Sequence, residues 1–409
     1  MQTDAEPFLQ RIRAFPDDDG PRLVFADWLE EQGGPALARA AFIRVQLALA
    51  TLSETDPARA DLVAAERVLC DAHEEAWRAP FRGLCSALEF RRGFVDAVRI
   101  GAVPFLRHAH ELFAAAPVRH LDLMDAGPHL AALTASPYLG RLAGLTVEAQ
   151  HLRDPLARAV ARCPHLAGLR ALDLRKNRLT DAAASALAGS PHLSGLESLI
   201  LSENELTESG ARALAGSPHL GALRRLDLRQ NPVGPAGADA VAASERLPRL
   251  EWLNLSGCGV GAPRGHAPAR AGALLRVSEL DLTHNGLGPA ALKALLAADG
   301  PAAVRELDLS HNDLGEAGAR VLAAAPALAG LRGLKLSGCG LTNAAVTAVA
   351  SSPHLAGLRS LDLGNNPAGD AAFEPFLDGV RPRGLRRLGV PAIGLSPALR
   401  RALHQKYGG

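Results

Sequence analysis

The chain repeats itself every 27 residues, and no other feature limits its fold as tightly. Leu169, Leu196, Leu223, Leu250, Val277, Val304, Leu331, Leu358 and Leu385 open nine successive segments in one unbroken register. They begin LRALDLRKNRL, LESLILSENEL, LRRLDLRQNPV and LEWLNLSGCGV, and continue VSELDLTHNGL, VRELDLSHNDL, LRGLKLSGCGL, LRSLDLGNNPA and LRRLGVPAIGL. Leu142 opens a tenth segment 27 residues before Leu169, and Val118 a degenerate eleventh 24 residues earlier. Such a period means a stack of supersecondary units, each too thin to bury its apolar face alone. The composition fits thin layers: 48% of residues are hydrophobic but only 4% are aromatic, so the core is aliphatic and small.

Within each unit, leucines two apart, such as Leu172 and Leu174, point to one face of a short strand. Asn177, Asn204, Asn231, Asn285, Asn312 and Asn366 fall where the chain then turns. Their amides are expected to satisfy turn backbone groups and to form a ladder. Cys258 and Cys339 occupy the same column and read as structural substitutes rather than reactive thiols. The second half of each unit, as in TDAAASALAGS or TESGARALAGS, starts with a capping or turn residue and spaces apolar positions three and four apart, which predicts a short helix. After Val260, GAPRGHAPARAGALL carries two prolines and three glycines in that place, so an irregular outer segment is expected there.

The pattern L-x-x-L-x-L-x-x-N/C-x-L resembles the leucine-rich repeat, and its 27-residue strand-plus-helix unit resembles the ribonuclease-inhibitor-like class. The resemblance implies a curved α/β solenoid with a concave parallel sheet and convex short helices, preceded by a small helical domain. The division expected is residues 1–92 as a helical N-capping domain and 93–409 as the solenoid with a basic C-terminal cap.

Residues 1–92 differ in character. They hold Trp28, Trp77 and six of the eleven Phe, and carry 11 Arg against 16 acidic residues. In DDDGPRLVFADWLEEQGG, Asp19 or Gly20 caps a helix, Pro21 suits its first turn and Gly33-Gly34 stop it. This stretch, with FIRVQ after it, resembles the short repeat-companion domain that precedes repeat arrays in some large-genome bacteria; that family implies no chemistry. Asp17, Asp18 and Asp19 are contiguous, unlike the alternating ligands of a calcium loop, and read as a solvated cap. GFVDAVRI, from Gly93 to Ile100, is expected to begin the sheet and join the leader to it.

Several function classes are disfavoured. Lys and Arg number 44 against 43 Asp and Glu, which argues against a nucleic-acid coat. Five scattered cysteines with no C-x-x-C pair read as reduced thiols in a cytoplasm. The N-terminus shows no apolar signal region, and the longest uncharged run, Leu336 to Leu358, is too polar to span a membrane. No phosphate-binding loop, nucleophile elbow, zinc-protease or dinucleotide motif is present, so no enzyme, cofactor or metal is expected. The column His165, His192, His219 and His354 reads as turn capping. His284 and His311, near Asp281 and Asp308, read as repeated polar turn positions rather than ligands.

The residues flanking the second and third leucines are expected to face away from the core and form a grid on the sheet. Arg225, Asp227 and Arg229 are followed by Trp252 and Asn254, then Glu279 and Asp281, Glu306 and Asp308, and Lys335. Trp252 is expected to be exposed, with Arg225 one strand away for a cation–π contact. Glu279, Asp281, Glu306 and Asp308 make a two-by-two carboxylate cluster that a cationic partner would relieve. The function expected is a non-enzymatic, monomeric, cytoplasmic scaffold that binds a protein with a basic and apolar patch on this grid. Two alternatives come from other classes. One is an enzyme regulator such as a GTPase activator, which some proteins of this repeat class are, presenting Arg175, Arg225 or Arg229. The other is anion or nucleic-acid binding by Arg381, Arg383, Arg386, Arg387, Arg400, Arg401 and Lys406, although no aromatic stacking pattern accompanies them.

Overall fold

A strand of three residues cannot stand alone, so each repeat borrows its hydrogen bonds from the next. The computed structural model describes residues 2–53, 56–261, 271–297, 302–378, 382 and 384–408. It divides into two compact units, Met1–Gln150 with Cys163–Leu169, and His151–Arg162 with Arg170–Gly409.

In the first unit four helices, α1 Gln2–Ala14, α2 Gly20–Gln32, α3 Ala36–Thr51 and α4 Arg59–Arg78, precede the strands β1 Ala87–Arg91, β2 Phe94–Gly101, β3 His120–Met124 and β4 Gly144–Thr146. β2, β3 and β4 pair in parallel. β1 lies inside the stretch read as helical and pairs antiparallel with β2 through a bulge at Glu89/Phe90. Ile12, Phe25, Leu29, Ile43 and Leu47 from the helices share one core with Phe94 of β2. Burying the same apolar side chains is what ties helices to sheet. Gly93 makes the junction close: its φ is +82° and a Cβ there would stand 2.4 Å from Ile43 Cγ1. Its amide donates to Gln46 Oε1 at 2.6 Å.

The three contiguous aspartates go to three partners. Asp17 pairs with Arg119 at 3.2 Å and Asp19 lies 3.5 Å from Arg92. Asp18 Oδ1 accepts from Gly20 N at 2.9 Å, so Asp18 rather than Asp19 supplies the side-chain bond at the start of α2. Arg39, unmarked in the sequence, places its guanidinium 4.8 to 5.7 Å from the rings of Trp77, Phe94, Phe90 and Phe42. Burial lowers its pKa to about 10.

The second unit is an α/β solenoid. Its strands are β5 Ala171–Asp173, β6 Ser198–Ile200, β7 Arg225–Asp227, β8 Trp252–Asn254, β9 Glu279–Asp281, β10 Glu306–Asp308, β11 Gly333–Lys335, β12 Ser360–Asp362 and β13 Arg387–Gly389. Each pairs in parallel with the next, residue i facing residue i + 27. Leu172, Leu199, Leu226, Leu253, Leu280 and their successors form a buried column beneath the sheet. Helices such as Asp181–Ala188 and Glu208–Ala215 turn Ala and Leu to that core.

The asparagine ladder is present. Asn204 Oδ1 accepts from the amides of Asn177 and Leu179, and its Nδ2 donates to the carbonyls of Leu174 and Leu201. Asn312 and Asn366 repeat the arrangement. Cys258 and Cys339 keep the donor half: their thiols reach the carbonyls of Leu228 and Leu309 at 3.1 and 3.2 Å. Lacking an oxygen, they leave the amides of Val233 and Leu314 to bond back to the carbonyls of Asn231 and Asn312. Burial pushes the two thiols up to about 12 and about 11, away from reactivity.

The turn-capping role expected of the histidine column belongs to the residue two before each histidine. The hydroxyls of Ser190, Ser217 and Ser352 donate to the carbonyls of Ala161, Ala188 and Ala323. Of the segment expected to be irregular, residues 262–270 lie outside the described ones, and Ala271–Arg276 is a 3-10 helix. Among the described residues no helix is long and apolar enough to cross a membrane.

Candidate functional site

The register converts the grid into two rows across the sheet. One runs Arg225, Trp252, Glu279, Glu306, Gly333 and Ser360; the other runs Asp227, Asn254, Asp281, Asp308, Lys335 and Asp362. Every residue of the expected site except Arg229 therefore falls in these two rows. Arg225, Glu279, Glu306 and Lys335 are exposed, Asp227, Asp281, Asp308 and Arg229 half-buried, and Asn254 buried. Trp252 is half-buried rather than exposed, because the Arg225 guanidinium lies over its ring at 4.3 Å.

The third position of the grid departs from expectation. Ser202, Ser256, Ser310 and Ser337 are buried, so in these four units the position packs into the turn, while Arg175, Arg229, Thr283 and Gly364 in the same column stay half-buried. The aspartates beside it have a structural duty that the sequence reading missed. Oδ1 of Asp173, Asp227, Asp281, Asp308 and Asp362 accepts the amide two residues on, at 2.9 to 3.1 Å. Asn254 makes the same bond at 2.8 Å. This local side-chain bond closes the strand into its turn and needs one carbonyl-type oxygen but no charge. The substitution of Asn for Asp in one unit is the sequence signal that gives it away.

The carboxylate cluster is thus two turn-bound aspartates beside two glutamates with no such role. Glu279 and Glu306 stand directly opposite one another. Burial, then the Glu279 charge, raises the pKa of Glu306. The Glu306 carboxylate lies over Gly333, where a Cβ would fall 1.6 Å from Oε2. Lys335 bridges to Asp308 at 3.2 Å; burial opposes its charge, but Asp308 together with Asp281 and Asp362 outweighs this and its pKa is raised. Burial also raises the pKa of Asp227. Trp252, Glu279, Asp281, Glu306, Asp308 and Lys335 line a depression of about 310 Å³, floored by Leu280 and Leu307. Its titratable side chains sum to four acids against one base, so it attracts cations, and its tryptophan wall offers an apolar face.

The other sequence-marked residues have partners of their own. Arg175 pairs with Asp173, and Arg229 with Glu203 at 3.0 Å. The rings of His284 and His311 stack 4.3 Å apart, and among the described residues no three His, Cys, Asp or Glu are grouped to hold a metal. In the basic C-terminal group, Lys406 donates to the carbonyls of Phe376 and Leu377, closing the Asp370–Leu377 helix. Arg381 and Arg383 lie outside the described residues.

Family models described as leucine-rich repeats match residues 165–233, 277–296 and 304–323. No curated protein matches the chain. Among solved structures, the yeast Rad7–Elc1 complex aligns over 91% of this chain and 91% of its own, at 14% identity and a TM-score of 0.42. An internalin (inlF) from Listeria monocytogenes aligns over 69% of this chain and 79% of its own, at 17% identity and a TM-score of 0.40.

Proposed function

We propose that the protein is a non-enzymatic binding scaffold that takes a protein partner on the strand face around Trp252. Leucine-rich repeats are generally protein-interaction modules, and the repeat length supports the ribonuclease-inhibitor-like class. The observation that carries the reading is the row Arg225–Trp252–Glu279–Glu306, an aromatic face next to two glutamates whose side chains, among the described residues, make no hydrogen bond or ion pair to another repeat. A partner that presents an Arg or Lys beside an apolar group fits this surface. Its cation relieves the Glu279–Glu306 repulsion while its apolar part covers the indole.

The test is a titration of the co-purifying partner with Trp252→Ala beside a helix-side control, Arg320→Ala. Trp252→Ala is expected to weaken binding by about 2 kcal/mol or more, as truncation of an aromatic anchor does, and to leave the melting temperature unchanged. Loss of binding in the Arg320 variant with none in the Trp252 variant assigns recognition to the helical face and ends this reading.

A further inference from the structure

The residue just before each strand forms another column, at the rim of the sheet, and its charge changes character along the solenoid. In the early repeats each arginine meets a glutamate on the next strand. Arg170 pairs with Glu197 at 3.2 Å and Arg224 with Glu251 at 2.5 Å. From the Val304 repeat onward the same column reads Arg305, Arg332, Arg359, Arg386. Backbone bonds place them side by side: the amides of Arg332, Arg359 and Arg386 donate to the carbonyls of Arg305, Arg332 and Arg359 at 2.7, 2.7 and 2.8 Å. All four are exposed, and among the described residues none has a carboxylate within 4 Å. Arg305 is held in place by donating to the Gly330 carbonyl at 2.8 Å. The neighbouring row adds Gly333, Ser360 and Arg387, so Arg359 and Arg386 have no acid beside them in it, and Glu306, which leans over Gly333 next to Arg332, is the one carboxylate on that side.

We propose that this arginine rail is a second binding surface, and that its occupant is an extended acidic segment of a protein with carboxylates at alternate positions. Strands lie about 4.8 Å apart, so four guanidinium groups span roughly 14 Å. An extended peptide laid along the rail repeats its same-side side chains about every 6.8 Å, so three alternate acids cover that length. Guanidinium and carboxylate match as forked, charge-assisted pairs. A single-stranded nucleic acid is the poorer match. Such ligands are held by aromatic stacking as well as phosphate contacts. The second unit's described aromatics are Trp252, Phe373, Phe376 and Tyr407, and the last three are buried. The surface is separate from the Trp252 row and does not depend on it.

The test is a fluorescence titration of the full chain with a labelled eight-residue peptide of alternating Glu and Ser, beside a single-stranded oligonucleotide of equal charge. The double variant Arg332→Glu/Arg359→Glu is expected to weaken peptide binding by about tenfold or more at low salt. Arg170→Glu/Arg224→Glu makes the same change in net charge and is expected to weaken it by less than about twofold, because those positions already have partners. Trp252→Ala should leave the peptide titration unchanged, so failure here is distinct from failure of the reading above. Equal weakening by both double variants reduces the effect to net charge and overturns the rail, as does an absence of peptide binding. Tighter binding of the oligonucleotide, lost in the same rail variant, overturns the acidic peptide as occupant. Unchanged melting temperatures establish that these exposed substitutions act on binding alone.

Discussion

The early and late repeats of the solenoid share a backbone and differ in how they spend their charges. Before Trp252, charges answer one another within the sheet: Arg170 with Glu197, Arg175 with Asp173, Arg229 with Glu203 and Arg224 with Glu251. After Trp252, Lys335 still pairs with Asp308, but elsewhere like stands beside like, with Glu279 opposite Glu306 on the face and four arginines along the rim. The strands recur in both halves, as do the aspartate-closed turns and the asparagine ladder, apart from Ile200 and Lys335 in the aspartate column and Cys258 and Cys339 in the ladder. Charge is thus free to vary without touching the fold, because exposed pairs contribute at most about 1 kcal/mol each. The half that leaves more of its sheet charges unanswered is the half expected to meet partners.

The comparison breaks most visibly if the framework is not shared. Asn204→Leu and Asn312→Leu each remove a buried amide that serves two backbone N–H groups and at least two carbonyls. Each orphaned buried group costs about 1–3 kcal/mol, so either variant should lose on the order of 3 kcal/mol or more. Denaturant midpoints should fall by similar amounts for the two. A mild effect at 312 beside a severe one at 204 means the halves are held by different bonds.

A smaller effect sharpens the functional side. Glu306→Arg reverses a charge on the face that we propose a partner approaches. It should slow association by roughly tenfold and flatten its salt dependence, with little change in dissociation. Glu197→Arg, which leaves Arg170 unpaired in the early half, should change association by less than about twofold. Stopped-flow rates at two salt concentrations decide it, and equal slowing by the two variants removes the distinction between the halves.

The period, the strand positions, the asparagine ladder and the two buried cysteines were all legible in the sequence, because each depends on a residue type recurring in register. Which columns face solvent was less so. Position alternation marks Ser202 and Ser310 as outward, yet the chain is already turning there and both are buried. The aspartates looked like surface charge since LDL is common wording for such a strand; only Asn254 hinted that an oxygen, not a charge, is required. The rim arginines stand 27 apart in plain view. Their meaning depends on knowing that Glu197 and Glu251 reach Arg170 and Arg224, and that requires the register of neighbouring strands. Arg39 carried no signal at all, because its four aromatic neighbours come from two helices and from the strands that follow.

The smallest effect has opposite signs in the two halves. In Glu306 a folded-state pKa raised by burial, and next by Glu279, means the folded protein holds that proton more tightly than the unfolded chain does. A raised carboxylate pKa favours folding below the unfolded value, about 4.3, and that contribution is lost as pH rises through the folded value. At neutral pH the ionised Glu306 therefore opposes folding. Glu306→Gln should stabilise there by no more than about a few tenths of a kcal/mol, since solvent screens an exposed charge, and the gain should vanish below about pH 4. Glu251→Gln removes the partner of Arg224 instead, and should cost about as much at neutral pH as Glu306→Gln returns. Denaturant midpoints for both variants at pH 7 and near pH 4 measure this directly. A Glu306→Gln variant that is destabilised at pH 7, like Glu251→Gln, would mean the late carboxylates are satisfied within the protein after all, and the contrast between the halves would lose its physical basis.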